Sequence, residues 1–182
     1  PQTSSDQSQI ANRKSQISPP SAPNSQPLFA DVSHWLNHVH VEGPFDDWAR
    51  QPLLPRRLSR LGPGLSWYDL NEDGWEDLVL TAGRGGTLAV YTNDHGGMFR
   101  KLDGLAPTQA DQGTVLGWPD GQGKRSLLVA VSNYEMTPHL ESEITAYSPS
   151  NLGAPQHWPA GRASLGPVAA ADIDGDGDLD LF

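Results

Sequence analysis

From Leu65 onward, short apolar runs alternate with turn-forming residues, and this pattern predicts short β-strands. Four runs have the length and composition of strands: residues 78–80, 88–91, 127–131 and 144–147. The Gly-rich stretch 83–86 and the Asn- and Gly-containing stretch 93–97 lie between these runs and are typical of hairpin turns. We therefore predict an all-β fold for residues 65–182.

The residues before Leu65 have a different character. Residues 1–27 are mostly Ser, Gln and Pro, and Ile10 and Ile17 are their only large apolar side chains. Such a segment buries too little apolar surface to offset its ordering entropy, which predicts a disordered linker or tail. Residues 28–64 are rich in aromatic residues and His but have weak periodicity, so we predict an irregular segment leading into the strands. A short helix near 31–38 or 45–51 is the alternative.

The chain also contains an internal repeat. Residues 69–78 (DLNEDGWEDL) match residues 172–181 (DIDGDGDLDL) without a gap, and the two segments begin 103 residues apart. Between them, residues 116–128 have the same turn-then-strand shape. In this copy Trp118, Gln122 and Ser126 replace the first, third and fourth carboxylates, and only Asp120 remains. A unit of about 50 residues with about four short strands is typical of a β-propeller blade.

Each acidic segment places oxygen-bearing side chains at positions 1, 3, 5 and 9 of a nine-residue loop, with Gly at position 6. Ca²⁺ binds about six to eight hard oxygen ligands, and crowded carboxylates without a cation would repel one another. We predict two Ca²⁺ sites. The ligands of the first are the side chains of Asp69, Asn71, Asp73 and Asp77 with the carbonyl of Trp75; those of the second are the side chains of Asp172, Asp174, Asp176 and Asp180 with the carbonyl of Asp178.

Two alternatives to calcium loops follow from the same residues. A solvated acidic turn without any ion is one, and Mg²⁺ is less suited because it retains several waters. An EF-hand is excluded because Leu80, within an apolar run, stands where that motif places a Glu.

Charge and composition narrow the classes of partner. The chain has 22 acidic and 12 basic residues and a net charge of −10, and the ten acidic residues of the two clusters account for the excess. No basic face is visible for a nucleic acid, no cysteine is present for disulfides or thiolate sites, and no apolar run approaches membrane-spanning length. The first residue is Pro1, not Met, so we expect a processed or excerpted chain.

Three weaker groupings have competing interpretations. His34, His38 and His40, with Glu42, could form a transition-metal site, although packing or surface roles are favoured. Arg56, Arg57 and Arg60 could bind an anion, although pairing with Asp46, Asp47 or the acidic loops is simpler. Trp67, Trp75, Trp118 and Trp158 could stack on sugars, although packing between blades is favoured. No nucleophile elbow, P-loop or dinucleotide fingerprint is present, so no catalytic residue is predicted.

The pattern D-x-[DN]-x-D-G-x-x-D-L followed by a strand resembles the FG-GAP/VCBS repeat of integrin-type β-propellers, over about residues 65–182. Residues 38–64 are similar to the segment that precedes the first repeat in large bacterial VCBS proteins, which often also carry an ASPIC/UnbV domain that is not recognisable here. The resemblance implies calcium between two strands of a blade. It also implies a seven-bladed ring, of which this chain supplies two blades and the start of a third. We therefore expect a partial β-propeller from a longer polypeptide.

The function implied is a non-catalytic, calcium-binding module for protein or glycan recognition or assembly, located extracellularly, at the cell surface or in the periplasm. Its partners would be an unknown protein or glycan, further blades of the same polypeptide, or neighbouring subunits. One alternative is a propeller-type carbohydrate-active enzyme such as a polysaccharide lyase. Another is a structural subunit of a surface layer or filament.

Overall fold

The computed structural model describes residues 29–95, 97–119, 123–136 and 141–182, and the chain divides into two compact units, residues 1–31 and 32–182. The helices and strands below all belong to the second unit. The predicted disordered tail, residues 1–27, lies outside the described residues. The described part is mostly β, which confirms the all-β prediction.

The segment before the sheets contains two one-turn helices, α1 (Ser33–Leu36) and α2 (Asp47–Arg50). Asp46 caps α2, because its Oδ1 accepts hydrogen bonds from Trp48 N and Ala49 N, both at 3.1 Å. The remainder of this segment is irregular, and each helix lies inside one of the two ranges that the sequence offered. Neither helix could cross a bilayer, since each has four residues where about 20 are needed.

The first sheet is a four-stranded antiparallel meander in chain order, formed by β1 (Leu65–Tyr68), β2 (Asp77–Leu80), β3 (Ala89–Asn93) and β4 (Phe99–Lys101). All of β2 is buried, which explains why it appears in the sequence as a continuous apolar run. Val79 and Val90 face one core, whereas Leu78, Leu80 and Tyr91 face a second one that is covered by α1.

The second sheet is also an antiparallel meander, formed by β5 (Gln112–Pro119), β6 (Arg125–Val131), β7 (Ser142–Ser148) and β8 (Asn151–Gly161). Leu127 and Val129 of β6 pack into the same core as Val79 and Val90, so the two sheets share their main hydrophobic cluster. The opposite face of β6 packs in another hydrophobic cluster against Leu165 and Val168, which follow β8 in the chain. A two-stranded hairpin, β9 (Ala170–Ala171) and β10 (Asp180–Leu181), follows.

The sheets approach each other most closely where β1 meets β5. A Cβ atom added at Gly117 would lie 2.2 Å from Cδ2 of Tyr68, so only glycine fits against that ring. This contact places the end of β1, and the acidic loop that follows it, beside the beginning of β6.

Candidate metal-binding loops

The two acidic loops occupy the same place relative to their strands. Residues 69–76 connect β1 to β2, and residues 172–179 connect β9 to β10. In each case strand pairing resumes at the last acidic position, since Asp77 pairs with Tyr68 and Asp180 pairs with Ala171. Each loop is therefore an eight-residue connection whose ends are held by an antiparallel hairpin.

The first aspartate of each loop binds the backbone of the turn in the same way. Asp69 accepts hydrogen bonds from Asp73 N at 3.1 Å and from Gly74 N at 3.0 Å. Asp172 accepts the corresponding bonds from Asp176 N and Gly177 N, at the same two distances. The position-1 carboxylate thus closes the turn in both loops.

The side chains at positions 3 and 5 also repeat their contacts. Asn71 Oδ1 and Asp174 Oδ1 accept from the position-5 N–H at 3.1 and 3.2 Å. Asp73 Oδ1 and Asp176 Oδ1 accept from the N–H of the residue at position 7, each at 2.9 Å. These are Asx-type bonds to backbone two residues ahead, and they curl the chain around the side-chain oxygens. The position-7 residues whose carbonyls are predicted ligands are Trp75 and Asp178.

Backbone conformation explains the glycines. The position-6 residues Gly74 and Gly177 have φ of 87° and 95°, in the left-handed region that favours glycine, which confirms the predicted sharp bend. Position 4 is left-handed too, with φ of 77° at Gly175 but 64° at Glu72. The second loop has glycine at both left-handed positions, whereas the first places a side chain at one of them.

The position-9 aspartates differ most between the loops. Asp77 is fully buried and accepts from Leu70 N and Asn93 N, both at 3.0 Å. Asp180 is exposed and accepts from Ile173 N at 3.0 Å. Burial raises the pKa of Asp77, and the negative charges at positions 5 and 1 of the loop add to the increase.

Carboxylates converge in the second loop. One oxygen from each of Asp172, Asp174 and Asp176 lies within 4.8 Å of the other two. Two oxygens on opposite sides of a cation at about 2.4 Å would be about 4.8 Å apart, so this spacing suits a single Ca²⁺ ion. In the first loop Asn71 supplies a neutral oxygen at position 3, and its Nδ2 donates to Asp73 Oδ2 at 2.9 Å.

A cation from the second sheet reaches only the first loop among the described residues. Arg125, the first residue of β6, places Nη1 2.7 Å from Asp69 Oδ2 and also contacts the Asp69 carbonyl. Although burial raises the pKa of Asp69, hydrogen bonds from Arg125 and Gly74 outweigh it and hold the pKa below its usual value. The five aspartates of the second loop have no Lys or Arg partner within the described part of the chain.

The middle segment differs from both loops. Five residues, 120–124, connect β5 to β6, where eight connect the strands around each acidic loop. Trp118 and Ser126, which the sequence alignment places at the loop ends, are instead paired strand residues. Asp120 and Gln122 lie outside the described residues.

The three histidines of the N-terminal segment each have a different partner: His38 Nδ1 lies 2.9 Å from the Tyr91 hydroxyl, His40 Nε2 lies 3.1 Å from Glu42 Oε2, and His34 packs edge-on against Trp35. The rings of His38 and His40 also lie near each other, with centroids 6.5 Å apart, whereas His34 packs against Trp35.

The favoured pairing of Arg56, Arg57 and Arg60 with Asp46, Asp47 or the acidic loops does not occur among the ion pairs of the described residues. Asp47 accepts instead from Leu58 N at 2.8 Å, Ser59 N at 3.0 Å, the Ser59 hydroxyl and the Tyr134 hydroxyl at 3.1 Å. The Arg57 guanidinium lies over the Trp48 ring. The buried carboxylate is satisfied by backbone and hydroxyl donors, which sequence spacing did not reveal.

The four tryptophans that the sequence suggested for sugar stacking have different environments. Trp118 packs against the apolar cluster on the outer face of β6, whereas Trp67, Trp75 and Trp158 are about half exposed. Trp67 lies against Phe99, and Trp75 lies edge-on to His95.

A third acidic group, apart from the two loops, was not predicted from the sequence. Glu42, Asp111 and Glu135 come from three separate segments, yet one oxygen of each lies within 4.8 Å of the other two. Burial raises the pKa of Glu135 to about 7; Asp111 and Glu42 add to the increase, and Arg84 opposes it. No local spacing links these residues, so no sequence motif could have signalled the group.

No protein-family model, curated protein or solved structure matches this chain.

Proposed function

We propose that this chain is part of a β-propeller of the FG-GAP/VCBS type, in which calcium stabilises the blades and the molecule serves recognition or assembly rather than catalysis. The observation that carries the proposal is the repetition of the same hydrogen-bond pattern in two loops 103 residues apart. Two unrelated acidic turns would have no reason to agree at each of these positions.

The strand arrangement supports repeated blades. Both four-stranded sheets are antiparallel meanders in chain order, and they pack face to face through one core. The acidic loops fall between the first and second strands of the first sheet and between the strands of the final hairpin. A sheet-on-sheet succession of short meanders is what a propeller needs from consecutive blades.

In this proposal the chain's own residues hold the ion. Asp69, Asn71, Asp73 and Asp77, with the Trp75 carbonyl, form the first site. The second consists of Asp172, Asp174, Asp176 and Asp180, with the Asp178 carbonyl. Bound calcium would supply positive charge that offsets carboxylate repulsion and would fix each loop between its strands.

The enzyme alternative has less support in the described residues. A cavity of about 610 Å³ lies against the second sheet, with His157, Glu143 and Tyr147 among its lining residues. His157 pairs with Glu143 at 2.9 Å, and the described lining contains no Lys or Arg that could hold an acidic polysaccharide. The convergent His, Arg and Tyr that would favour a lyase are not gathered there.

The test is a calcium titration of the full chain by isothermal calorimetry, with melting temperatures measured in calcium and in chelator. We expect binding heat and a calcium-dependent rise in melting temperature. Asp176→Asn should remove the binding of the second loop, whereas Asp103→Asn, an exposed carboxylate outside both loops, should change neither quantity. Absence of heat and an unchanged melt in the parent chain would refute the proposal.

A further inference from the structure

Glu42, Asp111 and Glu135 form a carboxylate group at the end of the sheets opposite the first acidic loop. β6 runs from Arg125, which contacts the first loop, to Val131, four residues before Glu135. Asp111 immediately precedes β5, and Glu42 belongs to the irregular segment between the two helices. The group therefore joins the N-terminal segment to the second sheet at the end opposite the first acidic loop.

Glu135 is the buried member of the group, whereas Glu42 and Asp111 are half-buried and each has one hydrogen-bond partner outside the group. Glu135 is 3% exposed, and neither of its oxygens meets an N–H or hydroxyl donor among the described residues; its neighbour within hydrogen-bonding reach is the Asp111 carboxyl. Oε1 of Glu42 is likewise buried and without a partner. A carboxylate removed from water without donors is strongly unfavourable, and buried charges in proteins are paired or coordinate metals. One oxygen of Glu135 lies within 4.8 Å of one oxygen of Asp111 and one of Glu42, so this buried carboxylate faces the other two.

The neighbouring cations do not satisfy the charge. Arg84 donates its backbone N–H to Asp111 Oδ1 at 2.9 Å, but its Nη2 donates to the Pro44 carbonyl at 3.1 Å. Among the described residues, no Arg84 nitrogen forms an ion pair with any of the three carboxylates. His40 contacts Glu42 alone, through Oε2.

We propose that Glu42, Asp111 and Glu135 bind a divalent cation with oxygen-only ligands, and that Ca²⁺ is the ion that fits best. Their oxygens lie within 4.8 Å of one another, about twice a typical Ca²⁺–oxygen distance. Mg²⁺ fits less well because it keeps several waters, and both oxygens of Glu135 and Oε1 of Glu42 are buried. The bound ion would fasten the N-terminal segment onto the junction between the two sheets.

The position of Glu42 depends on a glycine. A Cβ atom added at Gly83 would lie 2.4 Å from Oε1 and 2.6 Å from Cδ of Glu42. Gly83→Ala therefore displaces one ligand while leaving all three carboxylates in the chain. Gly166→Ala is the matched control, because a Cβ there meets nothing within 4 Å.

The decisive experiment counts bound calcium by equilibrium dialysis of the full chain at neutral pH. The double variant Asp73→Asn, Asp176→Asn impairs the two loops, and we expect it to retain one calcium ion per chain. Adding Glu135→Gln to that double variant should abolish the retained ion. If the double variant binds no calcium while the parent does, this third site is refuted and the calcium loops are not. If the parent binds none, both proposals fail.

Melting temperatures provide a second measurement that a purely structural role would not reproduce. In chelator, Glu135→Gln should melt at or above the parent, because it removes an unpartnered carboxylate from the interior. Calcium should raise the melting temperature of Glu135→Gln by less than it raises that of the parent. The difference should match the calcium-dependent increase that the loop double variant still shows. Gly83→Ala should weaken that retained site by at least about tenfold while Gly166→Ala leaves it unchanged, since displaced supporting contacts typically cost metal affinity about 10–100-fold. A retained ion that is insensitive to both Glu135→Gln and Gly83→Ala would overturn the assignment.

Discussion

Asp77 and Asp180 occupy the same position in the two loops, yet the structure gives them different importance for folding. Asp77 is 0% exposed and accepts two backbone hydrogen bonds, from Leu70 N and Asn93 N, each 3.0 Å long. Asp180 is exposed and accepts one, from Ile173 N. Replacement of each by Ala, with calcium removed by a chelator, therefore isolates the contribution of burial from that of any bound ion.

The expected magnitudes follow from these contacts. A hydrogen bond to a charged acceptor contributes about 1.5–3 kcal/mol, so Asp77→Ala leaves two buried donors unpaired at a cost of about 3–6 kcal/mol. Part of this cost is offset because burial and the neighbouring Asp73 and Asp69 already disfavour the charged form of Asp77. We expect a net loss of about 2–4 kcal/mol, against about 0.5–1 kcal/mol for the single exposed bond at Asp180.

Urea unfolding followed by tryptophan fluorescence measures both losses, and thermal melts provide a check. For a chain of this size about 1 kcal/mol corresponds to about 2–4 °C, so Asp77→Ala should lower the melting temperature by roughly 5–15 °C. Asp77→Asn should lie between the parent and Asp77→Ala, because its amide retains one acceptor. Equal losses for Asp77→Ala and Asp180→Ala in chelator would show that burial of Asp77 does not support the fold.

Three further outcomes test other parts of the structure. Gly117→Ala should lower the free energy of unfolding in urea by at least about 1–3 kcal/mol, because the added methyl overlaps the Tyr68 ring, whereas Gly166→Ala should lower it by less than about 1 kcal/mol. Burial raises the pKa of Asp47, but the hydrogen bonds that its carboxylate accepts outweigh burial and hold the pKa at about 2, against 3.8 in the unfolded chain. The ionised carboxylate therefore stabilises the folded state fully above pH 3.8, and this stabilisation is lost as the pH falls towards 2. Asp47→Asn should flatten that part of the acid-unfolding curve. Arg125→Gln should raise the calcium affinity of the first loop, measured by calorimetry, because it removes the positive charge beside Asp69, and it should leave the affinity of the second loop unchanged. An unchanged affinity of the first loop in Arg125→Gln would contradict the proposed role of Asp69 as a ligand.

The strands that sequence pattern predicted are those with buried side chains on both faces. β2, β3, β6 and β7 coincide with the four apolar runs, because central strands of packed sheets need apolar residues on either side.

β8 gave no such signal. It is the edge strand of the second sheet, mostly exposed, and it contains Pro155 and Pro159. An edge strand tolerates proline and polar side chains because only one of its sides forms ladder hydrogen bonds, so backbone pairing with β7 defines it.

The acidic loops were predictable for a local reason. The side chains at positions 1, 3 and 5 accept from backbone N–H groups two to five residues ahead, and those at position 9 accept from the N–H seven residues back, so spacing along the chain determines the turn. Arg125 was not predictable, because it reaches Asp69 across 56 residues through the contact between β1 and β5. The group at Glu42, Asp111 and Glu135 likewise depends on three segments meeting in space, which no periodicity encodes.

The distribution of charge follows from how the sheets pack. The middle parts of β2, β3 and β6 form the shared apolar core, so carboxylates can gather only where these strands end. One end carries the first acidic loop, where Arg125 provides a partial counter-charge, and the other carries the group around Glu135, where no Lys or Arg forms an ion pair among the described residues. Repulsion at both ends opposes the same sheet-to-sheet contact in the absence of metal. Divalent cations bound at either end would therefore stabilise one shared interface, and their effects on the free energy of unfolding should be coupled rather than independent.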